Sequence, residues 1–101
     1  METKIIQQQT AAAQLSYFLE KIKDDPRIGP LHISLYLALL YQSQSAAPSA
    51  PIHLDRQFLM RQSKILGKSA YYKCLKELAV YGYIEYKPEH YPGKQSVARP
   101  L

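Results

Sequence analysis

The stretch 55–101 constrains the fold most, because its residues sort into two opposed helical faces and then an alternating tail. In 68–81, Tyr71, Cys74, Leu75 and Leu78 fall at i, i+3, i+4 and i+7. That spacing draws one apolar stripe along a helix. Ser69, Tyr72, Lys73 and Lys76 repeat the same spacing on the opposite side. One face therefore holds the helix to a body, and the other presents hydroxyl and ammonium groups to solvent.

Signals on either side of this helix agree with it. Asp55 suits the N-cap of a short helix whose inward residues are Phe58, Leu59 and Met60. Residues 62–66 read as a tight turn with Ile65 pointing in, and Gly67 caps the helix that follows. Gly82 supplies a left-handed residue that stops it. Tyr83 begins an alternating strand over 83–87; Tyr91-Pro92-Gly93-Lys94 turns the chain, and 95–99 returns as a second strand.

Upstream, Thr10 can cap a helix on which Leu15, Phe18, Leu19 and Ile22 form one stripe, ended at Asp25-Pro26. That stripe either joins a second copy of the chain or packs on the next helix. The next helix is expected over 30–43, opened by Pro30 and apolar nearly all round, hence a central core element. Residues 43–51 are small, polar and proline-broken, a surface loop. Ile52-His53-Leu54 adds a very short strand. The expected fold is mainly α with a small β-hairpin, in the order α-α-(β)-α-α-β-β, a winged helix-turn-helix. Two parts are expected: residues 1–29, an N-terminal helix and possible dimerisation element, and residues 30–101, a winged-helix DNA-binding domain.

Charge is distributed as that architecture would use it. The formal charge of +5 lies wholly in 52–101, where nine Lys and Arg face four carboxylates; 1–51 is balanced at four of each. A one-sided basic surface attracts a polyanion through phosphate neutralisation and counterion release. Within 68–81, the first turns approach base edges in the major groove, which makes Ser69, Ala70, Tyr72 and Lys73 the candidate readers. Ala70 can meet a thymine methyl. Lys73 can donate to guanine, and Tyr72 can stack or bond to phosphate. Lys64, Lys68 and Lys76 suit phosphates, which fix position without reading sequence. The hairpin adds Lys87, His90, Lys94 and Arg99 for the minor groove or flanking backbone.

These residues carry a resemblance. The run 31–40, Ser63-Lys64-Ile65, the run 71–78 and 82–88 resemble the small winged-helix proteins of Bacteroidetes, many of them associated with conjugative and transposable elements. Those proteins are similar in turn to MarR-type regulators and plasmid replication initiators. The resemblance spans roughly 30–101. It implies double-stranded DNA as partner and a role in regulating, excising or transferring a mobile element. It assigns no cofactor and no catalytic residue.

Other function classes find little support in the residues. His32, His53 and His90 are scattered without metal-ligand spacing, and Gly67-Lys68-Ser69 lacks the rest of a phosphate loop. Cys74, the single cysteine, lies on the apolar stripe and suits packing in a reducing compartment. No apolar run approaches the roughly 20 residues that span a bilayer. The expectation is a cytoplasmic, non-enzymatic DNA-binding protein acting as a homodimer, with no metal, cofactor, membrane or small-molecule ligand. The competing expectation is a winged-helix module that binds another protein and not DNA.

Overall fold

A computed structural model describes residues 10–44, 51–89, 91 and 94–101. Among these, the chain forms four helices and a three-stranded antiparallel sheet. The helices are α1 (Ala11–Ile22), α2 (Pro30–Ser43), α3 (Arg56–Ser63) and α4 (Lys68–Val80). The strands are β1 (Ile52–His53), β2 (Ile84–Lys87) and β3 (Val97–Pro100).

Helix boundaries follow the caps. Thr10 Oγ1 accepts from the Ala13 amide at 3.0 Å, and Asp55 Oδ1 accepts from the Phe58 amide at 3.2 Å. Each satisfies one of the donors that a helix leaves open at its start. Helix α1 ends three residues before the expected Asp25-Pro26 break, because Asp25 turns its carboxylate onto Arg27 and its amide back onto the Ile22 carbonyl. Helix α4 closes at Val80, with Tyr81 as the capping residue in place of the last helical one. Gly82 follows at φ 89, where a side chain would be strained.

Helix α2 is the hub, packed against α1, α3, α4 and β3. Leu35, Tyr36 and Leu39 are fully buried on it. Its burial is less complete than its composition suggests: Leu31, Leu37 and Tyr41 face solvent, since no described element covers that side. Helix α1 joins the same core through Phe18, whose ring stacks on Tyr36. Leu15 and Ile22 are half-buried beside it, whereas Leu19 is exposed.

The hairpin is part of a larger sheet. Strand β3 lies in the middle, with β1 on one side and β2 on the other. Ile52 pairs with Ala98, and Ile84 with Pro100; all four are buried. Alternation then turns Glu85 and Lys87 outward, as the period of two requires. Leu101 is tied to the core: its amide donates to the Tyr83 carbonyl at 3.0 Å, and Tyr36 Oη donates to its carbonyl at 3.3 Å.

Candidate nucleic-acid interface

The buried stripe of α4 sets the direction of everything on its outer side. Tyr71, Cys74, Leu75 and Leu78 are all buried. Burial pushes the Tyr71 hydroxyl up to about 12 and the Cys74 thiol up as well, so both are neutral packing groups at ordinary pH. With those four residues fixed inward, Lys68, Ser69, Tyr72, Lys73 and Lys76 are all exposed. Ala70 differs from the other candidate readers. It lies four residues before Cys74, on the margin of the apolar stripe, and is half-buried against the core.

Lys73 is exposed but not electrostatically free. Its Nζ lies 3.2 Å from Glu77 Oε2, one turn further along α4. Glu77 Oε1 in turn accepts from His32 Nε2 at 2.7 Å. The Gly29 amide donates to His32 Nδ1 at 2.9 Å, which leaves the ring proton on Nε2 facing the carboxylate. The His32 hydrogen bond first, and Lys73 second, hold the Glu77 carboxyl below its usual range. The outer face of α4 is thereby tied to the start of α2. The i, i+4 spacing of Lys73 and Glu77 signals their pairing in the sequence. Nothing local signals His32, 45 residues away.

Tyr72 also has a partner that the sequence did not single out. Arg56, at the start of α3, donates through Nη1 to Tyr72 Oη at 3.2 Å. Arg56 thus joins the candidate surface, and its only sequence signal was its place in the basic half. Lys64 caps α3 in the left-handed conformation, φ 65, where its amide reaches the Met60 carbonyl. Among the described residues, Lys64, Lys68 and Lys76 have no carboxylate within ion-pair distance.

The hairpin cations divide differently. Arg99 faces Glu85 across β3 and β2, with Nη2 at 2.6 Å and Nε at 3.1 Å from Oε1, so its charge is locally matched. Lys87 and Lys94 are exposed and line a shallow groove with His53, Glu89 and Gln95. The Lys94 amide donates to the Tyr91 carbonyl at 3.2 Å. His90, with Pro92 and Gly93 of the expected turn, lies outside the described residues.

Chemically, this arrangement offers cations and hydroxyls on a rigid helix. No group of three or more His, Cys, Asp or Glu among the described residues is placed to hold a metal ion. Nor is any described helix long and apolar enough to cross a membrane. No family model, no characterised protein and no solved structure matches this chain.

Proposed function

We propose that this chain is a non-enzymatic DNA-binding protein of the winged-helix type. In this reading α4 enters the major groove, and the β2–β3 hairpin lies against the flanking backbone or minor groove. One observation carries it: Lys64, Lys68 and Lys76 stand exposed, with no carboxylate partner among the described residues, around a helix whose opposite face is locked into the core. Unpaired cations on a rigid element favour an extended polyanion, because binding releases its counterions with little ordering of the protein. Ser69 and Tyr72 then supply short-range contacts to bases or backbone. Arg99 drops to a supporting role, since Glu85 neutralises it.

The resemblance to winged-helix proteins of mobile elements extends the reading to a regulator or accessory factor, working as a homodimer on paired half-sites. The exposed Leu37 and Tyr41, one turn apart on α2, favour a second reading as a protein-interaction module. Substitution of Lys64, Lys68 and Lys76 by alanine separates the two. DNA binding predicts at least a roughly tenfold loss of affinity for a random duplex at about 50 mM salt. Unchanged affinity in a folded triple variant would end the DNA reading.

A further inference from the structure

The turn between α3 and α4 splits two adjacent apolar residues. Ile65 is buried at 2% exposure, whereas Leu66 is 95% exposed, the most exposed of the large apolar side chains described. Leu66 borders a shallow groove that also includes Met60, Arg61, Lys64 and Ile65. Arg61 and Lys64 are exposed, as is Lys68 just beyond the capping Gly67. None of the three has a carboxylate partner among the described residues. A leucine exposed to that degree buries almost no apolar surface in the free protein, and its surroundings specify what could cover it. Three unpaired cations around an apolar side chain fit a ligand that is anionic at its rim and apolar at one point. Duplex DNA has that chemistry, because phosphates flank a major groove in which the thymine C5-methyl is the apolar group. A hydrophobic pocket on a protein would accept the leucine, but it does not call for the cations.

We propose that Leu66 is a specificity-determining residue that packs against a thymine methyl, while Arg61, Lys64 and Lys68 hold the neighbouring phosphates. This rests on the DNA-binding reading and adds apolar base recognition outside helix α4 itself. Half-buried Ala70 is less available for that contact.

The test compares the full chain on two synthetic duplexes, alternating dA/dT and alternating dA/dU, which differ only in the methyl groups. Anisotropy at about 50 mM salt, where phosphate contacts are strong, should show the dT duplex bound roughly fourfold tighter, the worth of one methyl-sized group. Leu66→Ala should erase that preference by weakening the dT duplex alone, with the salt dependence unchanged. The proposal is overturned if Leu66→Ala keeps the preference, or if the wild type has none. If the lysine triple variant still loses affinity in those cases, DNA binding stands and Leu66 belongs to a protein contact. Failure to bind either duplex overturns both readings.

Discussion

Replacing Phe18 by alanine tests whether α1 is part of the cooperative core. Phe18 is 1% exposed. Its ring lies 3.7 Å from that of Tyr36 with 5° between planes, and meets Tyr83 edge-on at 5.4 Å. Truncating a buried phenylalanine costs about 3–5 kcal/mol through lost transfer energy and the residual cavity. Two aromatic contacts at once place this site near the top of that range. Domains of this size hold on the order of 5–15 kcal/mol in total, so the variant should lose a third or more of its stability. At about 4–8 °C per kcal/mol, the melting temperature should fall by roughly 20 °C or more. Phe18→Leu keeps most of the volume and loses only the ring contacts, for about 1–2 kcal/mol. Urea unfolding followed by far-UV circular dichroism reads both, with an unchanged denaturant slope expected. A loss under about 1 kcal/mol for Phe18→Ala would refute the reasoning, because a buried stacked ring cannot be removed so lightly. It would mean that α1 detaches independently of the rest.

Acid should destabilise the fold through two carboxylates. Asp25 accepts from the Arg27 guanidinium, with both nitrogens at 2.8 Å, and from Tyr83 Oη at 2.7 Å, and these bonds hold its carboxyl well below the usual range. Glu77 is depressed in the same direction by His32 and Lys73. A depressed folded-state value gives stability that is present above the unfolded values, 3.8 and 4.5, and lost as pH falls below them. Urea midpoints should therefore be flat near neutrality and decline on acidification, less steeply in Asp25→Asn; identical profiles would contradict the Asp25 contribution. Lys64→Gly should raise stability by about 1 kcal/mol, by relieving the left-handed conformation. The same change should weaken DNA binding and lower the salt slope by about one. A variant that unfolds more easily would show that the Lys64 side chain has a packing role.

Local chemistry made much of the fold readable in the sequence. Thr10, Pro30, Asp55 and Gly82 act through their own backbone neighbourhoods, and each stands at the helix terminus its chemistry suits. The stripe of Tyr71, Cys74, Leu75 and Leu78 was equally legible, since helical spacing alone assigns those residues to one face. What spacing cannot give is the partner across the fold. The pairing of β1 with β3 joins Ile52 to Ala98 and His53 to Val97, far apart in the chain, and the Asp25–Tyr83 bond joins residues 58 apart. Nor does apolarity say which side of α2 stays uncovered, so Leu37 and Tyr41 read as core yet face solvent. At the candidate interface the cationic face was visible. The spacing of Lys73 and Glu77 already signals that pair, whereas the neutralisation of Arg99 by Glu85 emerged only from geometry.

The most direct measurement is fluorescence anisotropy of the protein with a random-sequence duplex, titrated at several salt concentrations. Each phosphate neutralised contributes about 0.9 to the slope of log affinity against log salt. Lys64, Lys68 and Lys76, with Lys87 and Lys94 of the hairpin, predict a slope of about −3 to −5 for each bound copy. Tight binding at low salt that falls along that slope is the expected result. No binding at about 50 mM salt, or binding indifferent to salt, would contradict DNA recognition and leave the exposed apolar surface of α2 as the functional face.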